Sequence, residues 1–344
     1  MPRIDQRHIA RTLNLSQATV SRALHGGPIA EATRQRVLAE CERLGYQVHY
    51  TAQSLASGRT QNIVYAVEAF SDLAGENTHN QLIGAGESAF AAGYKLCVDL
   101  IGRTPELAAA GFMDGALIAL HAPHRHEKTL AWLRETDFPV VLVDAPVEEP
   151  RIANVRIDDE RAGFELTGHV LGQGHRDVVF FGLLEQSKSC AARWRGFRRA
   201  IAVRDDACGR VVPIDRWVIR PESVLEYAAA VSALKPFPTA FVAASDACAA
   251  GLIQLLAKLG LRVPTDVSVV GFGNSRWSAA LTPGLTTVDL AGFQVGQSAL
   301  EALLRLISGN RRRLVRNLPG ELVVRTSCAA VAGKASGRPI GRNG

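Results

Sequence analysis

The chain has 344 residues, of which 47% are hydrophobic and 21% are charged. Such a composition is typical of a soluble globular protein with two or three core-forming units, and it excludes the disordered and fibrous classes. No apolar run reaches the roughly 18 residues that a membrane span needs, and the N-terminus turns polar at once, so we expect neither a membrane segment nor a secretory signal. The six cysteines are scattered without a C-x-x-C pair, which predicts a reducing, cytoplasmic setting rather than disulfides or a zinc site.

The formal net charge is +6, and most of it lies near the N-terminus. Residues 1–60 contain eight arginines and four acidic residues, which leaves +4 in this short part of the chain. This asymmetry points to a polyanionic partner, and a basic face that is merely solvated is the alternative.

The first 46 residues predict three short helices and no strand. Ser16 caps the second helix, over 17–24, which His25-Gly26-Gly27-Pro28 stops; the third begins near Glu31 and ends at Gly45. Two helices joined by a tight turn, followed by a third, are typical of a helix-turn-helix. The side chains that we expect to face its core are Ile9, Ala10, Leu13, Val20, Ala23, Leu24, Val37, Leu38, Cys41 and Leu44.

From Asn62 onward, short apolar runs alternate with helical stretches. The runs are mostly continuous rather than alternating, as in parallel strands that are buried on both faces. They are Ile63–Val67, Leu96–Leu100, Ala116–Leu120, Val140–Val143, Val178–Phe181, Ala240–Ala244 and Val267–Val270. With helices at 162–171, 247–259 and 295–307, the pattern predicts an α/β fold of two parallel sheets of five or six strands, with a change of unit near residue 158.

Several motifs resemble, in their order and spacing, those of the LacI/GalR family of bacterial repressors. The resemblance covers residue 4 to about residue 328 and rests on the ordered set rather than on any single motif. The matching segments are Ser16–Leu24, Thr33-Arg34, Leu44–Tyr46, Ala52 with Leu55, Asp144, Gly174–Arg176, Arg193–Phe197, Ser245-Asp246, Gly260–Phe272 and Leu285–Val288.

The resemblance implies a helix-turn-helix headpiece joined to a periplasmic-binding-protein-like core of two Rossmann-like subdomains, between which the chain crosses three times. The headpiece would take residues 1–46, a hinge 47–61, the core 62–330 and a disordered tail 331–344. Within the core, the N-lobe would comprise 62–157 and 289–318, and the C-lobe 158–288 and 319–330. A ligand would bind between the lobes, at the carboxyl ends of the strands.

The resemblance places the helix over 17–24 in the major groove of DNA. Gln17 can donate to and accept from an adenine, Ala18 can pack on a thymine methyl, and Arg22 can bridge the two acceptors of a guanine. Contacts to phosphate oxygens position a protein without reading sequence. The side chains that suit them are Ser16, Thr19, Ser21 and Thr33, and His25 completes the set. The alternative is that Ser16 is only a cap and Arg22 only a solvated charge.

The connector also resembles the family's hinge helix, through Ala52 and Leu55. A helix this short is marginal alone in water, so it would form only when something holds it. By resemblance, the leucines of two protomers wedge into a minor-groove base step and kink the DNA. The alternative is that Leu55 packs on the core.

For the ligand cleft, the resemblance indicates polar residues at strand ends and helix starts. These are Glu68, Asp72, Asp144, Arg193, Arg220, Ser245, Asp246 and Asn274. Gly273 stands where the family motif carries Asp, and Leu290 where Gln is expected, so the polar set is thinner and more charged than a plain hexose would suggest. Asp144 and Arg193 could face a polar ligand as a pair of opposite charges, or form a structural salt bridge.

The remaining motifs do not predict a metal site or a catalytic site. His121, His124 and His126 have a metal-like spacing, but no acid or cysteine lies among them, so no metal is expected. The sequence contains no nucleophile elbow, paired catalytic acids or complete phosphate loop, so we expect neither an enzyme nor a cofactor.

The sequence therefore predicts a DNA-binding transcription regulator, a repressor, whose affinity for double-stranded operator DNA is modulated by a small polar effector such as a sugar or related metabolite. It would be cytoplasmic, associated with the nucleoid, and homodimeric, since no leucine heptad follows Leu318 to tether a tetramer. One alternative is a periplasmic-type solute-binding protein, which the basic helix-turn-helix disfavours. The other is a carbohydrate-processing enzyme with an incidental basic N-terminus.

Overall fold

The computed structural model describes residues 5–24, 27–46, 59–121, 123–145, 147, 149, 151–182, 187–214, 221–310, 312 and 314–331. The chain divides into two compact units, Met1–Thr60 and Gln61–Gly344. Of the predicted site residues, His25, Ala52, Leu55 and Arg220 lie outside the described residues. So do most of the predicted hinge and tail.

The first unit consists of three helices around a small core. They are α1 (Gln6–Leu13), α2 (Gln17–Leu24) and α3 (Glu31–Leu44). Each end has a local cause: Asp5 caps α1 by accepting from the His8 N–H at 2.8 Å, and Gly45 ends α3 in the left-handed conformation at φ 63°. The core side chains are Ile9, Ala10, Val20, Ala23, Val37 and Cys41. The expectation that Leu38 faces this core is wrong, because its side chain lies on the outer side of α3 and is 42% exposed.

The second unit contains two six-stranded sheets, which confirms the predicted α/β fold. All neighbouring strands of the first sheet are parallel, in the order β11-β5-β4-β3-β1-β2. They are β1 (Asn62–Val67), β2 (Lys95–Leu100), β3 (Gly115–Ala119), β4 (Val140–Val143), β5 (Ala153–Ile157) and β11 (Val315–Leu318).

The second sheet has the order β12-β10-β9-β8-β6-β7. Its strands are β6 (Asp177–Gly182), β7 (Cys208–Pro213), β8 (Ala240–Ala243), β9 (Ser268–Phe272), β10 (Thr286–Asp289) and β12 (Glu321–Val323). Only β12 runs antiparallel to its neighbour, β10. Asp289, at the predicted border of the lobes, is the last residue of β10 and therefore belongs to the second sheet.

Helices cover both sheets, and the polypeptide passes between the sheets three times. The passages follow β5, β10 and β11. The helices are α4 (Glu76–Ala91), α5 (Thr104–Ala109), α6 (Glu127–Glu135), α7 (Asp159–Gly172), α8 (Lys188–Ala202), α9 (Ala228–Ser232), α10 (Asp246–Lys258) and α11 (Gly292–Ile307). Short 3₁₀ helices lie at Phe70–Ala74, Ile101–Arg103, Pro123–Arg125 and Pro221–Tyr227.

One helix pair in each lobe crosses at two glycines, α4 with α11 in the N-lobe and α7 with α8 in the C-lobe. In both pairs, each glycine lies against the carbonyl of the residue three positions before the glycine of the other helix. A Cβ atom would overlap that carbonyl oxygen, so only glycine permits the approach. The four glycines are Gly84 and Gly296 in the N-lobe, and Gly163 and Gly196 in the C-lobe. The two lobes thus repeat one packing geometry.

Candidate functional site

One face of α2 carries polar side chains to the surface of the headpiece. Gln17, Ala18 and Arg22 are exposed and Ser21 is half-buried, whereas Val20, on the opposite side, is fully buried. The spacing i, i+1, i+4, i+5 explains this, because these positions share one side of an α-helix. Donors, acceptors and a methyl group are therefore displayed together on a short, rigid element.

The start of α2 is held by its own side chains. The Ser16 hydroxyl accepts from the Thr19 N–H at 3.1 Å, as an N-cap does, and lies 2.8 Å from the Thr19 hydroxyl. The predicted cap is therefore present. Thr33 is half-buried in the first turn of α3.

Arg34 holds the end of α2, a role that the sequence did not predict. Its guanidinium donates to the carbonyls of Ala23 and Gly27, both at 2.8 Å. The first of these is an unpaired carbonyl of the last turn of α2, where a positive charge also complements the helix dipole. The Thr33-Arg34 motif was the available signal, but a contact across 11 positions is not visible in sequence.

In the core, Asp144 follows β4 at a positive φ of 52° and is 8% exposed. Its carboxylate accepts from the side-chain amides of Asn77 at 2.9 Å and Gln81 at 3.3 Å, and from the Ile157 N–H at 3.3 Å. Asn77 and Gln81 lie on α4, so Asp144 joins β4, α4 and the end of β5. The sequence did not single out these two amides.

Arg193 is buried in the first turns of α8, and its partner differs from the predicted one. Its Nε donates to Asp159 at 2.8 Å, its Nη1 donates to the Ala244 carbonyl at 2.7 Å, and its guanidinium stacks 5.0 Å from the Phe272 ring centroid. The prediction that Arg193 pairs directly with Asp144 is therefore wrong, because the acid that binds Arg193 is Asp159. Burial raises the pKa of the Asp159 carboxyl, and Arg193 opposes this rise as its ion-pair partner.

The sequence analysis did not identify Asp159 as the partner of Arg193, because two acids lie where they could pair with this arginine. Asp144 follows β4 and Asp159 follows β5, and these strands are neighbours in one sheet. Both carboxylates therefore lie at the same sheet edge, and only the position of α8 decides between them.

Two further predicted residues, Asp246 and Asn274, are brought together in the C-lobe. The Thr287 hydroxyl donates to Asp246 at 2.6 Å and accepts from the Asn274 N–H at 3.3 Å. The Ser275 N–H also donates to Asp246, which is 1% exposed. Burial raises the pKa of the Asp246 carboxyl, and these hydrogen bonds oppose the rise.

The other predicted cleft residues form local contacts. Ser245 caps α10 by accepting from the Cys248 N–H, and Asp72 accepts from the Ala69 N–H at the start of a 3₁₀ helix. Glu68 accepts from the His121 N–H at 2.6 Å and lies 4.0 Å from His126. Each of these three side chains therefore accepts a backbone N–H and fixes a turn or a helix start.

Arg276, after β9, reaches across to the first turn of α4. Its guanidinium lies 3.4 Å from the Glu76 carboxylate and 3.0 Å from the His79 ring. The sequence analysis did not single out this residue, which links the two lobes at their facing edges.

Within the described ranges, no group of three His, Cys, Asp or Glu side chains is arranged to hold a metal ion. No helix in that part of the chain is both long and apolar enough to span a bilayer.

Comparison with known proteins finds a matching family model and similar proteins of nearly the same length. Residues 167–328 match a family model described as a periplasmic binding protein-like domain. Among relatives, the HTH-type transcriptional repressor PurR of Photobacterium profundum is 28% identical over 333 residues, which are 93% of this chain and 97% of that protein. The catabolite control protein A of Priestia megaterium is 27% identical over 321 residues, covering 87% of this chain and 91% of that protein.

The fold agrees with a solved relative. The crystal structure of the lac repressor dimer bound to operator and the anti-inducer ONPF matches with a TM-score of 0.79 and 22% identity, covering 95% of this chain and 99% of that one. This likeness confirms the predicted headpiece and two-lobed core. The chain is therefore similar in sequence to the repressor PurR along nearly the whole length of that protein, and similar in fold to the lac repressor.

Proposed function

We propose that this protein is a sequence-specific DNA-binding repressor whose affinity for its operator is modulated by a small polar effector bound between the lobes of the core. The observation that carries the proposal is the exposed face of α2, which displays Gln17, Ala18 and Arg22 on a headpiece attached to a two-lobed core. Relatives that are named transcriptional repressors support the same class. We propose that the chain is not an enzyme, since its relatives are named repressors and its sequence carries none of the catalytic motifs considered above.

In this proposal α2 reads bases in the major groove. Arg22 forms two hydrogen bonds to a guanine, Gln17 contacts an adenine, and Ala18 packs on a thymine methyl. The hydroxyl side chains contact phosphates and set the register. These are Ser16, Thr19, Ser21 and Thr33. For His25, Ala52 and Leu55 the proposal rests on the sequence resemblance alone.

The effector acts through its difference in affinity between two states of the protein, one that binds the operator tightly and one that does not. Such couplings are typically about 1–3 kcal/mol, which changes the affinity for DNA about fivefold to 150-fold. We propose a homodimer as the unit that binds a two-fold symmetric operator. Asp144, Arg193 and Asp159 are the proposed centre of the effector site.

The test is a gel-shift titration with DNA from upstream of the gene and with operators selected from random DNA. Arg22→Ala should lose about 1–3 kcal/mol of discrimination between operator and scrambled DNA. Arg36→Ala is the matched control, because it removes one positive charge from an exposed position on α3. It should weaken binding to both DNAs alike. If Arg22→Ala discriminates as well as the wild type, α2 does not read the operator.

A further inference from the structure

The buried charges at the junction of the two lobes do not balance. Asp144, Asp159 and Arg193 are exposed by 8%, 7% and 6% respectively. Two carboxylates therefore share this region with one guanidinium. Burying an ion without a partner lowers the stability of a protein. The unpaired carboxylate therefore suggests a site that a ligand of opposite charge completes.

Arg193 cannot serve both acids equally. Its Nε is bound to Asp159 and its Nη1 to the Ala244 carbonyl, and its flat face stacks on Phe272. Because an arginine does not lose its proton in proteins, Asp159 remains the paired carboxylate. Asp144 receives its hydrogen bonds from neutral groups, two side-chain amides and one backbone N–H.

The repeated helix crossing shows why Asp144 lacks a cation. In the C-lobe, the residue three positions before Gly196 is Arg193, which neutralises Asp159. In the N-lobe, the corresponding residue, three positions before Gly84, is Gln81, which offers Asp144 only an amide. Both residues donate to a buried acid, but only Arg193 brings a positive charge.

Among the residues that the structure describes, the surrounding charged groups do not supply the missing charge. Arg276 is paired with Glu76 at the lobe edge, and Glu68 adds a further carboxylate with His126 at 4.0 Å. Asp246 has its own donors, Ser275 and Thr287.

We infer that the effector carries a positive charge, such as a protonated amine, and that this charge binds at Asp144. The inference rests on the proposed function of the cleft and specifies the class of its ligand. A cation brings the buried charge of the cluster to zero. A neutral ligand leaves one negative charge uncompensated, and an anion adds a second, so cationic ligands are favoured over neutral and anionic ones of the same skeleton.

The first test needs no knowledge of the effector and measures the Tm of the full chain without ligand. Asp144→Asn removes the unpaired charge and keeps the side-chain shape, and asparagine also tolerates the positive φ of this position. We expect its Tm to be higher than that of the wild type. Asp177→Asn is the control, a carboxylate outside the predicted cleft set that is paired with the Arg210 guanidinium at 2.8 Å, and its Tm should fall.

The second test adds small ligands to the same three proteins at equal ionic strength. Methylammonium and glucosamine should raise the wild-type Tm by about 2–4 °C, relative to sodium chloride, when their concentration exceeds the dissociation constant about fivefold. Glucose and glucuronate should not. Asp144→Asn should lose the response to amines, with affinity lowered about thirtyfold or more, whereas Asp177→Asn should keep it.

The inference is overturned if Asp144→Asn lowers the Tm, if neither amine raises the wild-type Tm, or if glucose or glucuronate raises it as much. A gel-shift titration without ligand separates these outcomes from the proposed function. Specific DNA binding by the wild type with no amine response rejects the cationic ligand alone. Loss of specific binding by the wild type rejects the regulator.

Discussion

Arg193 shows how a residue chosen as a ligand contact also carries the stability of its lobe. Arg193→Ala leaves Asp159 buried without its ion-pair partner, and breaking a buried pair on one side costs about 3–5 kcal/mol. We therefore expect a lower Tm for the variant, measured by calorimetry. Arg195→Ala on the same helix is the control, since Arg195 is 58% exposed and pairs with Glu160 at the surface. Its cost should be at most about 1 kcal/mol, and equal losses in both variants would contradict the assignment.

Arg34 is the corresponding residue in the headpiece. Arg34→Lys keeps the positive charge but cannot reach both carbonyls with one planar group, so the end of α2 loses support. We expect a loss of about 1–3 kcal/mol in headpiece stability and weaker operator binding, measured by thermal unfolding and gel shift. Arg36→Lys, at an exposed position on α3, keeps the charge and should change neither. A stable, fully binding Arg34→Lys variant would show that the two hydrogen bonds are dispensable.

At the scale of elements, the glycine crossings set how close the helices come. Gly196→Ala would place a methyl group against the carbonyl of Glu160 and the backbone of Phe164, so α8 must move away from α7. Overpacking of this kind costs about 1–3 kcal/mol. Gly168→Ala on α7 is the control, because a Cβ there meets nothing within 4 Å. It should stabilise the helix by about 0.5–1 kcal/mol. Denaturant titrations should therefore show a lower free energy of unfolding for Gly196→Ala and a higher one for Gly168→Ala.

The elements differ in how far the sequence could predict them. α2 occupies its predicted bounds because a serine cap and a glycine-proline stop define it locally. Buried strands such as β4 were found because they are continuous apolar runs. The sequence did not predict β11 and β12, because they are short, contain no fully buried side chain, and pair with strands from other parts of the chain, β5 and β10 respectively. The same limit hid the contact from Arg193 to Asp159.

At the scale of the whole molecule, the buried His175 and the half-buried His169 make the stability depend on pH. Burial lowers the pKa of His175 and of His169 below the ordinary value of 6.5. Because these folded-state pKa values are depressed, the unfolded chain takes up protons first as the pH falls below 6.5. Their contribution to stability is therefore complete above that value and is lost on acidification.

His175→Gln tests this, since glutamine can still donate to the Ala329 carbonyl but does not titrate. The Tm of the variant relative to the wild type should rise as the pH is lowered from about 7.5 to about 5. The comparison matters because the raised pKa values of Asp159 and Asp246 act in the opposite direction and cancel in the difference. A Tm difference that does not vary with pH would exclude His175 as an acid-sensitive group.

Because the chain passes three times between the lobes, neither lobe can be completed until nearly the whole chain has been synthesised. The headpiece lies within the first 60 residues, whereas the sheet of the N-lobe is complete only when β11 is made, at residues 315–318. At about 5–20 residues per second, roughly 10–50 s separate these two points on the ribosome. During that interval the nascent chain holds a complete helix-turn-helix and no complete lobe. A message that ends early would therefore yield the helix-turn-helix without the two lobes between which we propose that the effector binds.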